Sequence, residues 1–276
     1  MSRTTSPRSI GNSRRSSRNG VAPEFIAEKL ARNRVRNPVG KAVRALDLLI
    51  RSSDEVGVRQ VATVLGLQPS NAHQLLANLL ELGLVRRDPA SSRYSIGPEL
   101  MRWAHEINNK TPIIRAAEKH VASLAKLCNE AVLLGVYDPH REQMMFTLNA
   151  QSSHPLRYAV ATNEWMPLNT GASSLAILAF LSDSERRPIL RKILRRTPLA
   201  PNSITKLGDL EKEIDRVRRQ GYAFSRSQRL AGAVGIAAPI FGPSGQVAGD
   251  LVFTIPEQRF TAKALQRFVG ELTRHA

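Results

Sequence analysis

Cysteine is all but missing from this chain: Cys128 stands alone among 276 residues. No intramolecular disulfide and no multi-cysteine metal site can form, which suits a reducing compartment, and a cytoplasmic protein is expected. Aromatic residues are scarce at 5%, which argues against a general RNA- or DNA-coating protein that stacks single-stranded bases. Acidic residues are outnumbered, 23 Asp and Glu to 40 Lys and Arg, leaving a formal net charge of +17 and a pI near 11.0. A balance that basic points to a polyanionic partner, nucleic acid before an anionic membrane. No run of eighteen apolar residues occurs, so no transmembrane helix is expected. The basic N-terminus is not followed by the apolar stretch of a secretory signal. The usual catalytic and nucleotide signatures, GxSxG, HExxH, CxxC, the Walker A loop and GxGxxG, do not occur. Nor do the six histidines, among them His105, His120, His140, His154 and His275, fall at metal-ligand spacing. No catalytic residue, cofactor or metal is therefore expected.

What is present falls into blocks. Residues 1–37 are rich in Ser, Arg, Asn and Gly, too poor in apolar surface to order themselves. They read as a basic disordered arm suited to DNA phosphate. "KAVRALDLLIRSS" puts Ala42, Leu46 and Leu49 on one helical face, with Val43 and Ile50 beside them. In "VRQVATVLG", Val58, Val61, Ala62 and Leu65 follow helical spacing and Gly66 ends the run. The next segment starts near Pro69, carries Ala72, Leu75, Leu76, Leu79 and Leu80 as its apolar stripe, and stops at Gly83. "LVRRDPASSRYSIGP" reads as two short strands around a turn. "ELMRWAHEI" predicts an amphipathic helix with Leu100, Trp103, Ala104 and Ile107 aligned, interrupted by "NNKTP".

The second half predicts an α+β domain. A helix from Thr111-Pro112 points Ile113, Ala117, Val121, Leu124 and Cys128 inward. "EAVLLGVYD", "EQMMFTLNA" and "LRYAV" predict three strands, followed by the apolar helix "GASSLAILAFL". In "SDSERRPILRKILRR", Ser182 and Glu185 suit a capping box, but Pro188 argues for a later start. "DLEKEIDRVRRQG" predicts a helix ending at Gly221; "YAFS", "VGIAAPIFG" and "QVAGDLVFTI" predict strands, and a closing helix begins near Thr261. The expected division is the arm at 1–37, a winged helix-turn-helix at 38–98, a linker helix at 99–110 and an effector-binding domain at 111–276.

The helix after Pro69 carries the chemistry. Ser70, Asn71, Gln74 and Asn78 share a neutral polar face. Amide side chains of this kind pair bidentately with adenine in the major groove. Two short helices with a tight turn, the second left polar, fit a helix-turn-helix, and the following hairpin fits a wing. Arg86, Arg87 and Arg93 are expected to meet phosphate from that wing, and Arg59 and His73 to flank the reading face.

These residues resemble a known family. "VRQVATVLGLQPSNAHQLLANLLELGLVRRD…RYSIGPEL" is similar to the N-terminal domain of IclR-type bacterial transcription regulators. "WMPLNTGASSLAILA" and "GYAFS…GIAAPIFGPSGQVAGDLVFTIP" resemble that family's C-terminal segments, in the same order, from about Pro38 to the end. The resemblance implies a winged helix-turn-helix followed by a GAF/profilin-like effector domain with an antiparallel sheet. It also implies a double-stranded DNA operator, a small-molecule effector and a homodimer or tetramer, with repression the expected mode and no membrane partner. Six positions depart from the pattern: Asn71 and Gln74 replace a frequent Thr and Arg, Ser174 and Leu175 a Gly-Lys pair, Gly235 a frequent Cys, and Asp250 a small residue.

The effector is expected at the start of the apolar helix, where free amides and the helix dipole favour a carboxylate. The candidates are Asn169, Thr170, Gly171, Ala172 and Ser173, with Trp165 as an aromatic wall, Arg157 as an acid's partner, and Gly235 and Asp250 on the strands. The effector expected is therefore organic and acidic or aromatic. The alternative reading is a small-molecule enzyme whose winged domain serves protein interaction.

Overall fold

A computed structural model of the chain describes residues 37–168, 171–195 and 200–276. The expected arm, Asn37 excepted, and two expected effector residues, Asn169 and Thr170, lie outside the described residues. The chain divides into two compact units, Met1–Glu106 and Ile107–Ala276.

In the first unit the helices begin and end where their sequence supplies caps. Helix α1 (Pro38–Arg51) starts behind Asn37, whose side chain accepts a 2.7 Å hydrogen bond from the Gly40 amide. Helix α2 (Val58–Leu65) stops at Gly66, held at φ +66°, a left-handed conformation that costs glycine little. Helix α3 (Pro69–Glu81) opens on Pro69, whose missing N–H has no intrahelical partner to lose. Strands β1 (Val85–Arg87) and β2 (Tyr94–Ile96) pair antiparallel, and Val56 bridges to Tyr94. Leu48, Val61, Leu76 and Tyr94 meet in one core. The buried stripe of α1 differs from the expected one. It is Ala45, Leu48 and Leu49, with Ala42 and Leu46 at its margin and Val43 and Ile50 exposed.

Helix α4 (Pro98–Lys110) corrects another expectation, since "NNK" does not interrupt it. The break comes only at Thr111. Pro112 lacks an N–H and pushes the residue before it out of the helical region, to φ −92° and ψ 105°.

The second unit is a six-stranded antiparallel sheet covered on both faces. Its strands are β3 (Ala131–Asp138), β4 (Gln143–Ala150), β5 (Met166–Pro167), β6 (Ala223–Arg226), β7 (Ala233–Phe241) and β8 (Val247–Pro256). Their spatial order is β5-β4-β3-β8-β7-β6. One face packs on α5 (Pro112–Cys128) and α9 (Ala262–His275) through residues such as Leu124, Phe253 and Phe268. The other packs on α6 (Gly171–Phe180), α7 (Asp183–Ile193) and α8 (Leu207–Gln220). Every residue of α6 from Gly171 to Ala179 is buried, as its uniform apolarity requires.

Two expectations fail here. "LRYAV" is not a strand; its place at the sheet edge is taken by Met166–Pro167, paired with Met144 and Gln143. Side-chain anchors hold that segment instead of a ladder: Arg259 donates to the Leu156 carbonyl and the Tyr158 hydroxyl to the Ala231 carbonyl. Helix α7, in turn, starts at Asp183 despite Pro188. The Ser182–Glu185 capping box satisfies its first turn, and one interior proline removes only one ladder bond.

Candidate ligand pocket and nucleic-acid interface

On α3, Ala72, Leu76 and Leu79 are buried against the core. This fixes the helix's rotation and leaves Pro69, Ser70, Asn71, His73, Gln74 and Asn78 exposed. The Gln74 amide donates to Asn78 Oδ1 at 2.9 Å, so these two side chains, one turn apart, are already oriented along one line. The hairpin holds its arginines individually. Arg86 Nε donates to Ser95 Oγ, Arg93 Nε donates to the Glu55 carbonyl, and Arg87 lies over the Tyr94 ring. All three remain exposed, as does Arg59 on α2, so their charge is available to an anion. The hairpin turn is closed by Asp88, which accepts from the Ser91 amide at 2.6 Å; the nearby Ser91 hydroxyl and that amide bond hold its carboxyl below the usual pKa.

The second unit holds a pocket of about 440 Å³, its mouth included, at the N-terminal end of α6. Gly171, Ala172 and Ser173 form its floor, with Phe146, Ser225 and Arg229 among its walls. Gly171 sits at φ +87°, close under Arg229. The Ala172 amide donates to Ser225 Oγ at 3.0 Å, tying the start of the helix to β6. Gly235 is needed where these elements meet: a Cβ there would come within 2.8 Å of Ser225 Oγ and 3.1 Å of the Ala172 methyl.

Arg229 dominates the pocket's electrostatics. Its guanidinium stacks over Phe146, 5.2 Å from the ring centre, and donates to Met166 Sδ at 2.6 Å. Burial lowers its pKa, and the charge of Asp250 partly restores it. Asp250 lies on β8, on the same sheet face as the pocket residues Val252 and Thr254, and is wholly buried. Its carboxylate occupies space that opens because residue 135 is glycine: a Cβ there would lie 2.1 Å from Asp250 Oδ1. Among the described residues neither carboxylate oxygen accepts a hydrogen bond of ordinary geometry. Desolvation therefore pushes its pKa up to about 7, although the nearby Ser173 hydroxyl and Arg229 guanidinium pull the other way.

Of the expected effector residues, Gly171, Ala172, Ser173 and Gly235 line the pocket. Asp250 lies in its electrostatic reach rather than on its wall. Arg157 and Trp165 do not line it. Arg157 is exposed on the loop that replaces the expected strand, and Trp165, half-buried, packs under the Arg141 guanidinium at 5.1 Å. Sequence reasoning missed Arg229, because "SRSQRLAG" offers two similar arginines. Only the fold separates them: Arg226 pairs with Glu257 at the surface, while Arg229 turns into the pocket. Among the described residues no cluster of three potential metal ligands forms, and no helix is long and apolar enough to cross a membrane.

Comparison with known proteins places both units. Residues 105–276 match the model of the bacterial transcriptional regulator IclR C-terminal domain, and residues 38–89 match the IclR helix-turn-helix domain. The HTH-type transcriptional regulator KdgR of Escherichia coli (strain K12) is 25% identical over 218 residues, 79% of this chain and 82% of that protein. The crystal structure of a putative IclR transcriptional regulator from Silicibacter sp. TM1040 is 26% identical, covers 87% of this chain and 93% of its own, and superposes with a TM-score of 0.68. An IclR homologue from Microbacterium hydrocarbonoxydans, crystallised with 4-hydroxybenzoate, shares the fold. It is 18% identical with a TM-score of 0.73, over 87% of this chain and 95% of that one.

Proposed function

The chain belongs to the IclR family of bacterial transcriptional regulators, and from that premise we propose how its parts divide the work. The polar face of α3 reads base edges of a duplex operator through Asn71 and Gln74, flanked by Ser70, His73 and Asn78. Arg59, Arg86, Arg87, Arg93 and the basic arm contact phosphate. The segment 38–98 acts as the DNA-binding domain, 99–110 as a linker helix and 111–276 as the effector domain. The protein works in the cytoplasm as a dimer or a pair of dimers.

The effector is a small organic monocarboxylate. The observation that carries this reading is Arg229: a guanidinium in the pocket wall, at the N-terminal end of α6, that forms no ion pair with a carboxylate among the described residues. A bound carboxylate would gain a charge-assisted partner there and the favourable end of the helix dipole. The apolar remainder of the wall, Phe146, Val160 and Leu230, suits a ligand with a hydrocarbon or aromatic body. The relatives this chain resembles are named transcriptional regulators, so the reading is binding without turnover.

The test is a thermal-shift screen of monocarboxylates, with 4-hydroxybenzoate, benzoate and pyruvate among them. A ligand present at a hundred times its Kd raises folded-state stability by about 2.7 kcal/mol. At least one acid is expected to raise the melting temperature of the wild type and not that of Arg229→Gln. A panel without effect on either protein, or a shift that survives in Arg229→Gln, contradicts the reading.

A further inference from the structure

Two opposite charges lie at the pocket, Arg229 on its wall and Asp250 buried behind it, and they form no direct ion pair. Arg229 spends its visible contacts on a thioether and an aromatic face. Asp250 accepts no hydrogen bond of ordinary geometry. The elements packed around that carboxylate present groups that do not ionise near neutrality: Gly135 of β3, Met144 of β4, Pro239 of β7 and Ser173 of α6. Among the described residues, Arg229 is the charged group that acts on Asp250. The Ser173 hydroxyl and, after it, Arg229 favour the ionised form, and of the two Arg229 is the one whose free face belongs to the ligand site.

We propose that Asp250 couples effector binding to the uptake of one proton, and so makes the pocket selective for monoanionic acids. This rests on the carboxylate reading above. When an incoming carboxylate pairs with Arg229, it neutralises the charge that favours ionised Asp250 and brings a second negative charge beside it. Two carboxylates sharing a dry site cannot both stay ionised cheaply. The proton comes from solvent and stays on an Asp250 oxygen; the ligand remains ionised on Arg229. A dianionic ligand would need a second proton or a second cation, and among the described residues the pocket wall offers no cation besides Arg229.

The sign follows from where Asp250 titrates. In the free protein its pKa is about 7; bound ligand raises it further. Below that range Asp250 is protonated with or without ligand, and affinity is flat. Above it the complex holds more protons than the free protein, so affinity falls as pH rises, by up to about tenfold per pH unit.

The experiment is calorimetric titration of the full chain with benzoate, pyruvate and 4-hydroxybenzoate at pH 6, 7 and 8, each in two buffers of different ionisation enthalpy. For the wild type we expect affinity to fall from pH 7 to 8, with net proton uptake read from the buffer difference. Asp250→Asn, checked for folding by circular dichroism, is expected to bind with no such fall. The buffer comparison on the wild type stands even where that variant fails to fold. Binding by the wild type that is flat with pH and takes up no proton overturns the inference and leaves the carboxylate reading intact. A fall that persists in folded Asp250→Asn overturns it too, since another group then carries the proton. If neither protein binds any of the acids, the carboxylate reading falls and this inference with it.

Discussion

A neutral amide and a charged guanidinium can stand equally exposed and do different things to DNA. Asn71 and Gln74 lie one turn apart near the start of α3, exposed because Ala72 and Leu76 turn inward. Carrying no charge, they add nothing to phosphate attraction, whereas a bidentate contact to a base is worth roughly 1–3 kcal/mol of discrimination. Asn71→Ala and Gln74→Ala are therefore expected to weaken operator binding about tenfold while leaving random duplex nearly untouched. Arg86→Ala is expected to weaken both alike. Fluorescence anisotropy with the two duplexes distinguishes the cases; alanine variants that remain folded and keep full selectivity would contradict the assignment. Spacing made this face legible, because helical periodicity sorts polar from apolar positions. Arg229 was not legible the same way. Its role depends on how the loop between β6 and β7 turns over Phe146, a tertiary fact with no local signature. Asp250 was half legible: period-two alternation puts it on the face of Val252 and Thr254, but its complete burial depends on Gly135 across the strand pair.

Among the elements, helix boundaries were the most readable, because caps are local chemistry. Gly66 and Gly221 act within one turn of the helices they end and read as stops; the Ser182–Glu185 box was legible but outweighed by Pro188, and the Asn37 cap was missed. Edge strands were the least readable. Leu156–Val160 alternates like a strand, yet side-chain bonds from Tyr158 and Arg259 hold it off the sheet. Helix α4 raises a different question. It has thirteen residues, none of them buried, and Met101, Trp103 and Ile107 are 67%, 44% and 60% exposed. An isolated helix of that length is marginal in water, so a partner for its apolar side is expected. In the dimer proposed above, a second copy of the chain would supply one. Trp103→Glu combined with Ile107→Glu should then shift the protein from dimer towards monomer in sedimentation equilibrium at micromolar concentration. A wild type that is already monomeric, or a double variant that assembles unchanged, would rule α4 out as the interface.

For the whole molecule, the net charge of +17 supplies a long-range attraction to DNA that does not depend on sequence and weakens with salt. On the proposed reading, selectivity rests on a few neutral side chains, and control on a pocket in the other unit. A ligand shifts an equilibrium only by its differential affinity for two states, so regulation requires that carboxylate binding at Arg229 and operator binding at α3 be coupled. By linkage the coupling is reciprocal, typically 1–3 kcal/mol. The most direct measurement is an operator titration at one fixed salt concentration, with and without a saturating carboxylate identified by the thermal-shift screen, on the wild type and Arg229→Gln. Operator affinity is expected to change at least fivefold with ligand in the wild type and not at all in Arg229→Gln. Equal operator affinity with and without bound ligand in the wild type, or the same ligand response in both proteins, would contradict the account.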